Sequence, residues 1–107
     1  MNNIQTIQIL PALNYVAPTI TVVGTSSGLL IPVGLFQKYF CIYTLPGSAT
    51  NVWLSLNNGA AVSKAGAFVA ANGGGIQFGL GGFPMPTANI NAITDGGVAQ
   101  SLAIWGA

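Results

Sequence analysis

Residues 51–105 read NVWLSLNNGAAVSKAGAFVAANGGGIQFGLGGFPMPTANINAITDGGVAQSLAIW, and this stretch decides the fold because short apolar segments alternate with turn-forming residues. Each apolar segment is short enough for a β-strand, and the breaks carry Gly, Asn or Pro, which permit tight changes of chain direction. No long run free of Gly and Pro keeps a helical period. The pattern predicts an all-β protein in which these residues supply the carboxy-terminal strands of an antiparallel β-sandwich.

The residues before this stretch supply the partner strands. Lys38–Leu45, KYFCIYTL, is apolar on both faces, which indicates a central strand. Thr19–Gly24 is rich in β-branched residues and predicts another strand. Leu29–Phe36 is continuously apolar, which implies cover on both faces, but its Pro32 cannot donate to a sheet ladder, so we expect an edge or bulged strand. Turn signals at intervals of about 8–12 residues favour a sandwich or barrel, and we expect a jelly-roll-like sandwich.

Two short segments carry the chemistry of β-hairpin turns. Asn57–Gly59 and Asp95-Gly96 tolerate the positive φ angles that tight hairpins require, so each predicts a hairpin. Ala61–Lys64 and Ala67–Ala71 are predicted to pair with each other around the glycine between them. These turns would join strands that are neighbours in one sheet.

Residues 1–18, MNNIQTIQILPALNYVAP, form a separate leader, and residues 19–107 form the sandwich domain. Ile7 and Ile9 alternate with Gln8, and the prolines disfavour a helix in the residue before each of them, so we expect an extended amino-terminal arm. Such an arm either pairs with a neighbouring subunit's sheet edge or forms the first strand of its own sheet. The predicted partner contacts lie in this arm and in the apolar edge strand: Ile4, Ile7, Ile9, Leu29, Leu30, Ile31, Pro32 and Phe36.

Ionisable side chains are nearly absent from the chain. Lys38, Lys64 and Asp95 are the only charged residues, and the formal net charge is +1. Hydrophobic residues make up 51% of the chain, and the mean hydropathy is +0.66. Soluble surfaces usually carry about 25–35% charged residues and a net charge that opposes association. We therefore expect further copies of the chain, or a larger body, to cover much of the surface.

The residue inventory excludes the common catalytic sites from a single chain. There is no His and no Glu, and Asp95 is the only side-chain carboxylate, so a carboxylate pair, a Ser-His-Asp triad and a Cys-His pair cannot form. Cys41 is the only cysteine, which excludes an internal disulfide and a multi-cysteine metal site. We interpret it as a small buried hydrophobe. We expect no enzymatic activity, no bound metal and no cofactor.

Nucleic-acid and membrane partners are not expected either. Two lysines are too few for a basic stripe, and the glycine-rich residues 72–75 and 79–82 introduce no helix, so we interpret them as turns rather than phosphate-binding loops. The longest clean apolar run, Leu29–Phe36, is shorter than the roughly 20 residues of a membrane-spanning helix. Because the first residues lack a basic region and a continuous apolar region, we expect synthesis in a cytoplasm without export.

From Lys38 onward the order of segments resembles small virion β-sandwich proteins of tailed phages, of the head-decoration (cement) or head-fibre type. The resemblance is carried by KYFCIYTL (38–45), VWL (52–54), GGGIQF (73–78), PTANINAI (86–93) and the final strand (94–105). The sequence departs from that pattern in having Lys38 where Arg is common, almost no surface charge, and no acidic residue near its end. The resemblance implies a binding role on a capsid and carries no catalytic residues.

These observations predict a virion structural protein, made in the host cytoplasm, that decorates or cements a capsid or forms a minor part of it. Its expected partners are itself, with a trimer favoured, and the major capsid protein or another virion protein. One alternative is a module of a phage fibre or tail that binds host glycans by stacking sugars on Trp53 and Trp105, although packing in the core or at a subunit interface is the default for both. Another is a self-polymerising surface fibre.

Overall fold

The computed structural model describes residues 16–107, and their side chains from Thr19 onward. In this part of the chain every regular element is a β-strand, eight in all. The strands are β1 (Val16–Val23), β2 (Gly28–Ile31), β3 (Tyr39–Thr44), β4 (Val52–Ser55), β5 (Ala67–Val69), β6 (Gly75–Gly79), β7 (Ile90–Thr94) and β8 (Gln100–Gly106).

The strands form two four-stranded sheets whose inner faces share one core. The first sheet has the order β1-β8-β3-β6 and the second sheet has the order β2-β7-β4-β5. Every pair of neighbouring strands is antiparallel. All connections except β4–β5 pass from one sheet to the other. The predicted all-β antiparallel sandwich is therefore confirmed.

Strand alternation places one face of each sheet in the core. On β3, Phe40, Ile42 and Thr44 are buried, while Cys41 and Tyr43 on the opposite face are only half-buried. The core contains thirteen hydrophobic residues drawn from both sheets and the loops beside them. The buried Thr44 hydroxyl donates to the Ala70 carbonyl (2.7 Å), so this polar group is satisfied inside the sandwich. β3 lies between β8 and β6, which confirms the predicted central strand.

The predicted edge strand Leu29–Phe36 is shorter in the structure. β2 ends at Ile31, at the edge of the second sheet, and the following residues turn, with the Leu35 N–H donating to the Pro32 carbonyl (3.2 Å). Pro32 ends the ladder because it has no N–H to donate. The chain itself covers only one face of this stretch, since Ile31 is 3% exposed and Leu29 is 58% exposed, and cover of the other face by a neighbouring chain stays a prediction. A single apolar run here contains both core and surface residues.

Two of the predicted hairpins, the one at Asp95-Gly96 and the one that pairs Ala61–Lys64 with Ala67–Ala71, are wrong. Asp95-Gly96 joins β7 of the second sheet to β8 of the first, so it turns the chain between sheets. Ala61–Lys64 forms no strand, and β5 pairs with β4 instead. Asn57–Gly59 begins a long loop between β4 and β5 rather than a tight turn. Turn residues at these positions specify a reversal of chain direction. The packing of the whole chain decides which strand the next segment pairs with.

The amino-terminal boundary also differs from the sequence prediction. β1 begins at Val16, and Val16 pairs with Gly106 of β8, so the first sheet starts before the predicted boundary at residue 19. The rest of the predicted arm, including Ile4, Ile7 and Ile9, lies outside the described residues.

Candidate interaction surfaces

The charged side chains do not assemble a polar site in the described part of the chain. Lys38 and Lys64 are exposed, and the Asp95 carboxylate accepts a hydrogen bond from the Ser63 hydroxyl (2.8 Å). Lys64 and Asp95 line the same open depression of about 270 Å³, yet no ion pair within 4 Å is recorded among residues 16–107. Nor do three groups from His, Cys, Asp and Glu come together there. The described surface is therefore composed almost entirely of apolar and neutral polar groups.

Large apolar side chains are instead prominent on the surface. Ten of them are between 47% and 66% exposed: Ile20, Val22, Leu29, Val33, Leu35, Val62, Phe68, Leu80, Phe83 and Val98. Single exposed apolar residues are ordinary, but neighbouring ones mark contact surfaces. Two such groups stand out. Ile20 and Val22 lie two apart on edge strand β1, and the other group lies in the loops at one end of the sandwich.

That end of the sandwich is formed by residues 32–38 and residues 80–89, which we call the apolar end. Val33 and Leu35 are exposed in the first loop, and Leu80 and Phe83 in the second. The Val33 N–H donates to the Asn89 side-chain oxygen (2.7 Å), which holds the first loop against the end of the second. Both loops also line one shallow crevice. The two loops are thus held together at this end of the sandwich, and each exposes large apolar side chains.

A row of phenylalanine rings supports the apolar end from within the core. Ring centroids are 5.3 Å apart for Phe36 and Phe40, 4.8 Å for Phe40 and Phe78, and 5.9 Å for Phe78 and Phe83. The first three rings are buried, and Phe83 is 55% exposed. Aromatic pairs at these separations stabilise one another beyond the burial of their area. The row therefore fixes an exposed aromatic side chain on a rigid base.

The structure divides the predicted contact residues into two groups. Leu29 and Pro32 are exposed and Leu30 is half-buried, so these side chains are accessible to a partner. Ile31 and Phe36 are 3% and 6% exposed and fill the domain's own core. Alternation along β2 turns Ile31 inward, and stacking on Phe40 turns Phe36 inward, so neither side chain is accessible to a partner.

The two tryptophans lie on opposite outer faces of the sandwich. Trp53 projects from the second sheet and contacts Phe68, with ring centroids 4.9 Å apart. Trp105 projects from the first sheet and meets Tyr39 edge-on at 6.1 Å. Both are half-buried, which places neither in the core. One ligand therefore cannot stack on both rings.

Residues 56–66 connect β4 to β5 and are bound to β7 and the residue after it. Several hydrogen bonds hold this loop, among them Asn91 Nδ2 to the Gly59 carbonyl (2.7 Å), the Ala61 N–H to Ser27 Oγ (2.7 Å), and Ser63 Oγ to Asp95 Oδ1 (2.8 Å). The indole Nε1 of Trp53 is buried and has no hydrogen-bond partner among the described residues. A buried donor of this kind cannot reach a sugar hydroxyl.

Cys41 lies on the outer face of the first sheet, half-buried rather than in the core as we expected. Burial raises the pKa of its thiol, because the low-dielectric surroundings disfavour the thiolate. Less thiolate is therefore present at neutral pH than for a fully solvated cysteine.

We expect Cys41 in the folded protein to react with iodoacetamide more slowly than the same chain unfolded in urea at the same pH. The reagent attacks the thiolate, and a raised pKa means that less thiolate is present until the pH rises above the ordinary value for Cys. Alkylation followed by mass spectrometry measures the two rates. Equal rates near pH 8 would contradict the raised pKa.

Sequence reasoning missed the apolar end, because Leu80 and Phe83 fall in a stretch whose glycines and prolines identify only a loop. The signal that could have found them is the presence of two large apolar residues in that loop.

Comparison with models of protein families, with curated proteins and with solved structures finds no match to this chain. Among the described residues no helix has the length and apolar character to cross a membrane.

Proposed function

We propose that this chain is a virion structural protein that self-associates, with a trimer as the favoured state, and binds the capsid as a decoration (cement) protein or a minor capsid component. The observation that carries the proposal is the surface. Ten large apolar side chains are exposed in the described residues, whereas the entire chain has three charged ones. Such a surface favours association with copies of itself and with other proteins, since almost no charge repulsion opposes contact.

The strand order supports a jelly roll as the finer description of the fold. Four strands in the order β1-β8-β3-β6 face four in the order β2-β7-β4-β5, and all connections but one cross between the sheets. Two Greek keys wound into an eight-stranded double sheet have this arrangement, which is frequent in viral capsid and lectin domains. Because one fold serves many functions, the surface and not the fold decides between those classes.

The glycan-binding alternative has less support than assembly. It depends on exposed aromatic faces, yet Trp53 and Trp105 lie on opposite sides of the molecule and each packs against another ring. The apolar end exposes four large apolar side chains and does not depend on either tryptophan. Its mechanism in a shell would be the burial of Val33, Leu35, Leu80 and Phe83 against a partner, which adds stability in proportion to the apolar area removed from water.

Electron microscopy tests the proposal directly. Gold-labelled antibodies against the purified chain should decorate the shells of particles isolated from the cells that make it. Labelling confined to fibres or tails would favour the glycan-binding module. Filaments formed by the purified chain alone would favour the self-polymerising fibre, and absence of the chain from every particle would contradict a virion role.

A further inference from the structure

Strand β6 forms one edge of the first sheet and leaves part of its backbone unpaired. Phe78 and Ile76 lie opposite Phe40 and Ile42 of β3. The Gly79 N–H donates to the Phe83 carbonyl (2.7 Å), on the side away from β3. Because the backbone groups of alternate residues in a strand point to the same side, Gly75 and Gln77 also direct theirs away from β3.

The loop after β6 covers only part of this edge. The Phe83 N–H donates to the Gln77 carbonyl (2.9 Å), so the half of the edge nearest the apolar end is capped. The Gln77 N–H and both backbone groups of Gly75 find no backbone or side-chain partner among the described residues. Unpaired groups on a sheet edge are a template for pairing with another strand.

A groove of about 470 Å³ lies along the uncapped half of this edge. It is lined by Gly75, Ile76 and Gln77 of the strand and by Gly82, Phe83 and Pro84 of the loop. No charged side chain lines it. The groove therefore combines free backbone donors and an acceptor with an apolar wall, which is the combination that strand addition uses for affinity and for side-chain specificity.

We propose that the groove beside β6 receives residues 4–10, IQTIQIL, of a second copy of the chain as an added strand. This inference rests on the proposed self-association and names the contact that produces it. The segment is strand-sized, carries no charge, and alternates Ile7 and Ile9 with Gln8. Every copy supplies it, because fifteen residues precede the start of β1.

A second copy fits better than the chain's own amino terminus. β1 and β6 are the opposite edges of the first sheet, three strand spacings or about 14 Å apart. The six residue steps from Leu10 to Val16 span at most about 20 Å when fully extended. That path must also round the end of the sheet and pass the loop that caps Gly79, since the free groups lie beyond it at Gln77 and Gly75. Donation between copies needs no such detour.

A matched pair of substitutions at Gln77 tests the edge in the full chain. Gln77→Pro removes the free N–H and fills the edge with the proline ring, and it costs no bond to β3 because that N–H points away from β3. Gln77→Ala keeps the N–H. Both lose the same side-chain bond from Gln77 Nε2 to the Gly79 carbonyl (2.9 Å). In sedimentation equilibrium we expect Gln77→Pro to raise the dissociation constant of self-association at least about tenfold, and Gln77→Ala to leave it near the wild-type value.

A mixing experiment tests the occupant. The double substitution Ile7→Pro and Ile9→Pro removes two backbone donors from the arm and leaves β6 intact, so alone it should also associate at least about tenfold more weakly. Mixed with the Gln77→Pro chain, it should form 1:1 pairs at least about tenfold more tightly than either variant associates alone, since one copy retains a free edge and the other an intact arm. Recovery on mixing supports the proposal.

Each other outcome overturns it. If wild type and Gln77→Pro associate equally strongly, the groove is not the site of self-association. If the Ile7→Pro and Ile9→Pro chain associates as strongly as wild type, the arm is not the occupant. Loss in both variants without recovery on mixing indicates that the arm of one copy does not pair with the edge of another. If Gln77→Pro does not fold, Phe83→Lys replaces it, with Phe83→Leu as control, because that exposed side chain forms the groove wall. A wild-type chain that never associates would instead remove the proposed function itself.

Discussion

Replacing Phe40 with alanine should lower the free energy of unfolding by about 3–5 kcal/mol, because it empties the centre of the core. Phe40 is 2% exposed and its ring stacks between Phe36 and Phe78. The loss has two parts, the transfer free energy of the ring and the cavity that close-packed neighbours cannot fill. Denaturant unfolding monitored by tryptophan fluorescence measures it.

Phe83→Ala is the control for this substitution, since it removes the same side chain from the surface end of the same ring row. Phe83 is more than half exposed, and its ring centroid lies 5.9 Å from that of Phe78. We expect a loss of about 1 kcal/mol, from one aromatic contact and partial burial. Equal losses for the two variants would mean that the row is not anchored in the core as described.

Gly79→Ala should destabilise the fold by about 2–5 kcal/mol, through the combined effects of backbone strain and overpacking. Gly79 has φ +82°, a conformation that side chains disfavour. A Cβ added there would overlap the Lys38 carbonyl oxygen and lie 2.9 Å from the Cα of Tyr39. These are backbone atoms at the start of β3 and of the residue before it, so they cannot move without disturbing the β3–β6 ladder. Thermal unfolding measures the effect.

Gly81→Ala separates the two causes. Gly81 has φ +89° in the same loop, but an added Cβ meets nothing within 4 Å. The strain of the left-handed conformation alone should cost about 1–2 kcal/mol. If Gly79→Ala were no more destabilising than Gly81→Ala, the close approach of β3 to β6 would be contradicted.

The central strand and the sandwich class were predictable because they depend on local patterns. Lys38–Leu45 has apolar residues on both faces over a strand-sized length, and only an interior strand buries one face while neighbours flank both edges. Pro32 indicated an edge strand because it lacks a donor, although the predicted strand ran on to Phe36 and β2 ends at Ile31. These features follow from residue type and period alone.

Strand partners were not predictable from the same patterns. Asp95-Gly96 has hairpin chemistry whether the next strand pairs alongside or crosses to the other sheet, and here it crosses. The loop 56–66 does not make a tight hairpin turn. Its bonds to Ser27, Asn91 and Asp95 hold it on the second sheet. Such contacts join residues far apart in sequence, so no local pattern records them.

The contact surface was only partly predictable. The apolar run from Leu29 to Phe36 indicated a contact segment, but the sequence does not say that Ile31 and Phe36 turn inward while Leu29 turns outward. The unpaired edge at Gln77 is a property of the sheet order, which only the folded chain reveals. Charge scarcity was evident from composition and is the feature that most strongly favours assembly.

Sedimentation velocity of the purified full chain, over a wide range of protein and NaCl concentration, shows whether the chain associates with itself through uncharged contacts. With three charged side chains in the whole sequence there is little Coulomb attraction to screen. We therefore expect a defined multimer that persists as NaCl is raised. A monomer at every protein concentration, or a multimer that dissociates in moderate NaCl, would contradict it.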